Sequence, residues 1–284
     1  MKIRKFEKNN YKAIFKNWKT LRLKLNSNKE ITELEYPEFY DVKITNYCSG
    51  WCPYCYQSSV KTDSHYSNIL KITKDYFWNM TENQKPFQVA IWGWNPNEHP
   101  DFVELLKLYT ELWIMPNYTT NGIGLTKEVL EATAKYSGWV AITAHPHLEK
   151  YWTEAIEKLY KYNIKINIHI VISDKYSINR FLKIYEKYHE KIDYFVLLPL
   201  IEMWRAKNVP KIEYDYLKDI IIKYMNKDKI AFGANFYPYV KKDNDFNLSL
   251  YEPEILSKYI DMKDNKIKIY PSSFNLKLLK EIKF

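Results

Sequence analysis

The chain has 284 residues, 46% of them hydrophobic, and is long enough to bury a substantial core in one large domain. No run of about 18 apolar residues occurs, and the first residues lack the apolar segment and cleavage site of a secretory signal. All three cysteines lie within eight residues, which excludes a disulfide framework and indicates metal or redox chemistry. The sequence therefore predicts a cytoplasmic protein without a membrane span.

The net charge of +9 is concentrated at the amino terminus. The first 29 residues contain ten Lys or Arg and one Glu, whereas the rest of the chain has equal numbers of basic and acidic residues. Only four residues are Arg, the residue type that pairs best with phosphate. This composition weakens an interpretation as a nucleic-acid-binding protein.

Residues 11–25 place apolar side chains at helical spacing, with basic side chains on the other faces. The apolar positions are Tyr11, Ile14, Phe15, Trp18, Leu21 and Leu25. The pattern predicts a basic amphipathic helix in an N-terminal arm, residues 1–37. This helix is expected either to dock on the main domain or to recruit an acidic peptide, RNA or a membrane surface, so an acidic partner is one expectation.

From about residue 38 to residue 240, strands and helices alternate, which is typical of a parallel sheet with crossover helices. The predicted strands lie near 39–46, 87–93, 115–120, 138–145, 164–172, 193–199 and 229–236. Helices are expected between them, including 102–113 and 151–161. A C-terminal extension, residues 241–284, is predicted to contain a helix near 252–260 and a strand at 266–270.

Two of the predicted strands have a polar face. The strand 164–172 has four isoleucines on one face and Asn167 and His169 on the other, and the strand before it directs Thr143 and His145 away from its apolar face. A simply packed barrel interior would carry Val, Ile and Leu, so a polar interior predicts a ligand cavity. His145 and His169 are candidate acid–base catalysts there, because imidazole titrates near neutral pH.

The cysteines follow the first of these strands. Cys48, Cys52 and Cys55 have the spacing CxxxCxxC in a loop at the carboxyl end of a strand, where α/β barrels keep their active sites. Conventional iron–sulfur clusters and structural zinc sites take four protein ligands. Three thiolates would leave one iron of a four-iron cluster open to another ligand.

This loop, with the aromatic Tyr54 before the third cysteine, resembles the signature of the radical S-adenosylmethionine (SAM) superfamily. The resemblance implies an α/β fold, a partial (β/α)6-type parallel barrel, with one 4Fe-4S cluster on Cys48, Cys52 and Cys55 and SAM on the open iron. It also implies an external one-electron reductant. The reduced cluster would cleave SAM to methionine and a 5′-deoxyadenosyl radical, which abstracts a hydrogen atom from the substrate.

A second segment, Gly93-Trp94-Asn95-Pro96, is similar to the GGEP segment of the same superfamily, with Trp94 and Asn95 replacing its second Gly and its Glu. The amide of Asn95 is expected to accept a hydrogen bond from the SAM amino group, more weakly than a carboxylate would. The resemblance assigns further cofactor contacts to Asn121, Thr143, Asn167 and Arg205.

Two other interpretations stay open. A zinc or iron site with His65 as fourth ligand would make the loop a structural metal-binding module, and a degenerate relative would bind a cluster or SAM without catalysis. No cysteine is left for an auxiliary cluster or for a cysteine hydrogen donor. We therefore expect a one-cluster reaction on a small molecule, a nucleoside or a peptide side chain.

Overall fold

The computed structural model describes residues 1–17, 19–53, 55–209, 212–237 and 253–284. Trp18 and Tyr54, which belong to the predictions above, lie outside the described residues. Two sheets organise the described chain, one of three strands at the amino terminus and one of ten strands in the main domain. No helix in the described ranges is both long and apolar enough to cross a membrane.

The structure describes three strands within the first 25 residues, so the predicted helix at 11–25 is wrong. Strands β1 (Lys2–Phe6), β2 (Tyr11–Lys16) and β3 (Lys19–Lys24) pair antiparallel in that order. Burial alternates along β2, and left-handed residues at Asn10 (φ 54°) and Asn17 (φ 51°) allow the tight turns on either side of it. The two-residue repeat of burial and the turns at the two asparagines therefore determine the structure of this segment, in spite of its apparent helical spacing.

The N-terminal sheet packs on the main domain. The Phe15 ring stacks on Phe87 with a centroid distance of 5.2 Å. Arg4 is only 1% exposed and donates hydrogen bonds to the carbonyl oxygens of Tyr36, Pro37 and Asn83. The sheet is therefore docked on the body of the protein through both apolar and polar contacts, as the docking interpretation of the basic segment requires.

The main domain alternates strands and helices in the predicted order. Its elements are β4 (Phe39–Lys43), α1 (Ile69–Trp78), β5 (Gln88–Trp92), α2 (Phe102–Glu111), β6 (Met115–Thr120), α3 (Lys127–Tyr136), β7 (Val140–Thr143), α4 (Glu149–Lys161), β8 (Ile166–Ile172), α5 (Ser177–Tyr188), β9 (Tyr194–Pro199), α6 (Tyr214–Tyr224) and β10 (Ile230–Phe232). All seven predicted strands are confirmed, with ends shortened by a few residues.

The C-terminal segment extends the same sheet. It contains α7 (Pro253–Leu256), β11 (Ser257–Asp261), β12 (Lys266–Tyr270) and β13 (Lys280–Lys283). The predicted helix near 252–260 is therefore wrong over most of its length, because β11 pairs parallel with β4 and buries Tyr259 and Ile260. The expected strand at 266–270 is confirmed.

The ten-stranded sheet has the order β10-β9-β8-β7-β6-β5-β4-β11-β12-β13. Its strands are parallel from β10 to β11, and β12 and β13 are antiparallel. Among the described strands β10 does not pair with β13, so the sheet forms a partial barrel. The four isoleucines of β8 are at most 2% exposed on its apolar face, and His169 and Val171 on the opposite face line a cavity.

Candidate active site

A cavity of about 300 Å³ opens at the concave face of the partial barrel, with residues from β4 to β9 and from the loops at their carboxyl ends in its wall. Most of the wall is apolar, including Leu148, Val171 and Leu198. Its polar members include Asp41, Thr119, Asn121, Thr143, His145 and His169. The predicted ligand cavity is therefore present, and it is more apolar than the two polar strand faces suggested.

The three cysteines lie at the carboxyl end of β4. Cys48, Cys52 and Cys55 are 4%, 4% and 2% exposed, and the first two contribute to the cavity wall. Burial raises the pKa of the Cys48 thiol to about 12. The Cys48 Sγ lies 3.6 Å from the Nδ2 of Asn121, and the Cys52 Sγ lies 3.7 Å from the Nδ1 of His145. Two of the three sulfurs thus have polar side chains beside them.

Backbone geometry lets the cysteine loop approach its neighbours closely. A Cβ at Gly50 would lie 2.6 Å from the Nδ2 of Asn121, so any other residue there would have to displace the Asn121 side chain. Gly93 has φ 127°, and a Cβ there would lie 2.4 Å from the carbonyl oxygen of Thr45. The end of β5 therefore packs directly against the backbone that leads into the cysteine loop.

Two charged side chains hold the loop. Arg205 donates from Nε to the carbonyl oxygen of Cys52 (3.0 Å) and from Nη2 to that of Ser59 (2.8 Å). On the other side, the carboxylate of Glu98 accepts hydrogen bonds from the backbone N–H and the hydroxyl of Ser49, at 3.3 and 2.8 Å. Arg205, which the resemblance assigned to cofactor binding, thus contacts the loop backbone.

The amide of Asn95 is fully engaged by the protein. Its Nδ2 donates to Glu98 Oε2 (2.7 Å) and to the carbonyl oxygen of Ile123 (2.9 Å). Its Oδ1 accepts from the Thr120 hydroxyl (2.8 Å) and from the Asn121 N–H (3.1 Å). The side chain is 0% exposed, so in this structure it links β6 to the segment after β5.

Trp94 occupies the position of the missing glycine with a glycine-like backbone, φ 74°. Its ring lies edge-on to Tyr56, with centroids 5.0 Å apart, and 6.4 Å from the ring of Trp92. All three rings are part of the cavity wall. The Trp94 side chain therefore forms part of an aromatic side of the cavity. Pro96, the last residue of the segment, is buried at the start of a short turn.

The candidate residues on later strands divide into two groups. Thr143, His145 and His169 line the cavity, and Asn121 does so from the loop after β6. Asn167 does not contribute to the wall, and its Oδ1 is buried without a hydrogen-bond partner. Burial lowers the pKa of His169 to about 4, so its imidazole is neutral at physiological pH.

His145 also has a lowered pKa of about 4, because it is buried and because His147 and Arg180 lie near it. It borders the cysteine loop as well as the cavity, because its Nδ1 lies 3.7 Å from the Cys52 Sγ. His65, the fourth ligand of the structural-metal alternative, shares a hydrogen bond of 3.0 Å with the Thr45 hydroxyl through Nδ1.

The donor set fits an iron–sulfur cluster. Within the described ranges no three His, Cys, Asp or Glu side chains are placed to share one metal ion. A four-iron cluster does not need such convergence, since each thiolate binds a different iron. Cys48, Cys52 and Cys55 are the residues of the described chain that would hold it, because thiolates are the ligands that iron–sulfur clusters take.

Several site residues were missed by the sequence reasoning. Asp41, Tyr56 and Trp92 line the cavity, and Glu98 anchors the cysteine loop. Asp41 and Trp92 had a detectable signal, because each alternates with apolar residues that point to the helical layer. Tyr56 and Glu98 lie in irregular segments, where periodicity carries no information.

Comparison with known proteins places this geometry in a family. The chain matches the Radical SAM superfamily over residues 42–202. It resembles Streptococcus suis SuiB bound to S-adenosylmethionine, with a TM-score of 0.66 and 17% identity over 88% of this chain and 64% of that one. SuiB bound to its precursor peptide SuiA gives a TM-score of 0.65 and 18% identity over 84% and 60% of the two chains.

The structure of anSMEcpe with bound AdoMet and the Cp18Cys peptide is also similar, with a TM-score of 0.57 and 14% identity over 84% of this chain and 75% of that one. The matches to SuiB cover 60% and 64% of that protein, so this chain spans less than two thirds of the length of SuiB. No curated protein gives a significant match by sequence. The family match covers more than half of the chain, so this protein belongs to the radical SAM superfamily.

Proposed function

We propose that this enzyme holds one 4Fe-4S cluster on Cys48, Cys52 and Cys55 and, with SAM, abstracts a hydrogen atom from a substrate bound in the cavity. The observation that supports the proposal is the position of three buried cysteines at the carboxyl end of β4, two of them in the cavity wall. When bound, the cluster and SAM supply the one-electron chemistry that breaks SAM and removes the hydrogen atom.

The protein's own contribution begins with the cysteine loop. Arg205 fixes the backbone at Cys52 and Ser59, and Glu98 fixes Ser49. Asn121 can donate from Nδ2 to the sulfur of Cys48. A donor beside a metal-bound thiolate disperses its charge and orients it, which is how residues outside the ligand set tune such centres.

The cavity supplies position and exclusion of water. Its apolar side chains, such as Leu148 and Leu198, leave few groups that bind solvent. Thr143 and His169 lie opposite each other in the register of β7 and β8 and both face the cavity. Because the pKa of His169 is lowered to about 4, its imidazole stays neutral and can accept one hydrogen bond from a substrate and donate another.

The proposal is tested by anaerobic reconstitution followed by addition of SAM and dithionite. We expect about four iron atoms per chain and formation of 5′-deoxyadenosine. Replacement of Cys48, Cys52 or Cys55 by Ala should remove both. His65→Gln is the matched control: it should leave iron content and product unchanged, whereas loss of metal in this variant would support the structural metal-binding module.

A specific observation favours a second candidate, a protein that binds a cluster without cleaving SAM. The Asn95 amide, at the position where the family has a glutamate, is occupied by four protein groups. An intact cluster in the reconstituted protein together with no 5′-deoxyadenosine would identify this candidate and refute catalysis.

A further inference from the structure

Asp41 lies in the middle of β4, on the face that borders the cavity. In the register of the sheet it is opposite Ala90 of β5 and Tyr259 of β11. Ala90, which also borders the cavity, contributes only a methyl group beside it. The carboxyl group is therefore in the wall of a largely apolar cavity, seven residues before the first cysteine.

The described wall of this cavity contains no Lys or Arg. Of its two histidines, His169 is neutral because burial lowers its pKa to about 4, and His145 lies with its Nδ1 3.7 Å from the Cys52 Sγ. Lys43 is two residues from Asp41 but borders the neighbouring cavity of about 140 Å³ together with Asp261; the two cavities have Tyr56 and Ser273 in common. The wall thus holds one acidic side chain and no described cation.

This isolation has an electrostatic consequence. Burial alone raises the pKa of Asp41 to about 7, with no contribution from a neighbouring charge. An ionised carboxylate in such surroundings is unfavourable unless an opposite charge lies next to it. The described protein does not supply that charge in the cavity, so a cationic ligand is the complement that this wall requires.

The adjacent wall is aromatic, which suits the same class of ligand. The rings of Tyr56 and Trp92 have centroids 6.2 Å apart, and Tyr259 packs on the Trp92 ring at 5.3 Å. Tyr56, Trp92 and Asp41 all line the same cavity. Aromatic faces attract organic cations, most strongly where water is excluded.

We propose that the substrate carries a cationic amine, and that Asp41 binds the ammonium group beside the aromatic wall of Tyr56 and Trp92. This proposal rests on the proposed function and narrows its substrate to an amine-bearing molecule. The ammonium group is anchored within the barrel, on the same strand that carries the cysteine loop at its carboxyl end.

The test compares two probes of equal length, n-pentylamine and 1-pentanol, by anaerobic equilibrium dialysis against the reconstituted, cluster-loaded enzyme with saturating SAM. At about pH 8 the amine is charged and Asp41 is ionised. We expect the amine to bind at least about tenfold more tightly than the alcohol. Asp41→Asn should remove this difference and leave the binding of pentanol unchanged.

Asp219→Asn, the same change on the exposed side of α6, is the control and should keep the full preference for the amine. The wild-type ratio of the two affinities tests the proposal even if Asp41→Asn does not fold. Equal binding of the two probes to the wild-type enzyme overturns the proposal, and so does an unchanged ratio in Asp41→Asn.

SAM itself carries an ammonium group, so the same dialysis is repeated without SAM. An amine that binds only when SAM is absent would show that the carboxylate serves the cofactor, and this also overturns the proposal. Formation of 5′-deoxyadenosine is measured separately. The substrate inference therefore fails or stands independently of SAM cleavage.

Discussion

Asp41→Asn should stabilise the folded protein, and more so at alkaline than at acid pH. Burial raises the pKa of Asp41 from 3.8 to about 7. The folded state therefore holds this proton more tightly than the unfolded state does. The stability linked to it is fully present below pH 3.8 and is lost as the pH rises through about 7.

The magnitude follows from the size of this shift. At about 1.36 kcal/mol per pKa unit, the raised pKa of Asp41 destabilises the fold by about 4 kcal/mol at about pH 8 and by about 1.5 kcal/mol at about pH 5. The first figure is an upper bound, because water in the cavity solvates part of the carboxylate. Asn has the same shape and no charge, so the variant avoids this cost.

The assay is anaerobic urea unfolding of the cluster-loaded wild type, Asp41→Asn and Asp219→Asn at both pH values. Asp219 is exposed on α6, and its replacement should change stability by less than about 0.5 kcal/mol. A stabilisation of Asp41→Asn that is equal at the two pH values would show that Asp41 is not desolvated. Destabilisation at about pH 8 would show that a cation already pairs with it, and this would refute the reasoning.

Three further substitutions test the supports of the site. In Gly93→Ala, the new Cβ would lie 2.4 Å from a backbone oxygen at a residue whose φ is 127°. Urea unfolding should therefore show a loss of about 3 kcal/mol or more in the free energy of unfolding. The control Gly138→Ala should lose less than about 1 kcal/mol. Arg205→Ala removes two hydrogen bonds to the cysteine loop and should speed iron release to a chelator about tenfold, whereas Arg180→Ala should not. Arg4→Met leaves three backbone carbonyls unpaired and should lower the free energy of unfolding by about 3 kcal/mol, with no change in iron content.

The parallel core from β4 to β9 was predictable because each of these strands is marked twice, by alternation or an apolar run and by the helix that follows. The N-terminal segment was not, because Tyr11, Phe15 and Leu25 fit a helical repeat as well as they fit strands. The deciding signals were the turn residues Asn10 and Asn17, whose left-handed backbone ends a strand. The local pattern alone does not show whether this segment follows the helical repeat or the two-residue repeat of a strand. The contact between Phe15 and Phe87 favours the strand.

The C-terminal error has a different origin. β11 lies in the sheet between β4 and β12, and it pairs with a strand more than 200 residues earlier in the chain. Its sequence, SKYID, carries one isoleucine and one tyrosine, too little to distinguish a strand from one turn of helix. Its structure is set by the free edge of β4, which no local pattern reveals. The same strand places Tyr259 next to Asp41, so this part of the site was equally hidden.

Asn95→Glu tests whether SAM binding follows the sequence pattern of the family or the hydrogen bonds seen in this protein. On the pattern alone, a restored glutamate should strengthen SAM binding through its carboxylate. In the structure, the change removes the Nδ2 donor to Glu98 and puts a second carboxylate where the two side chains are 2.7 Å apart. We therefore expect a loss of about 3 kcal/mol in unfolding free energy and no gain in SAM affinity.

Asn95→Asp is the matched variant, because it adds the same charge without the extra methylene. If repulsion from Glu98 is the cause, both variants should be destabilised, and Glu98→Gln should restore part of the stability of each. SAM affinity is measured by equilibrium dialysis on the cluster-loaded proteins. A several-fold gain in affinity for Asn95→Glu with unchanged stability would show that this side chain turns toward SAM when the cofactor binds. The carboxylate of Glu98 would then be free to hold Ser49 alone.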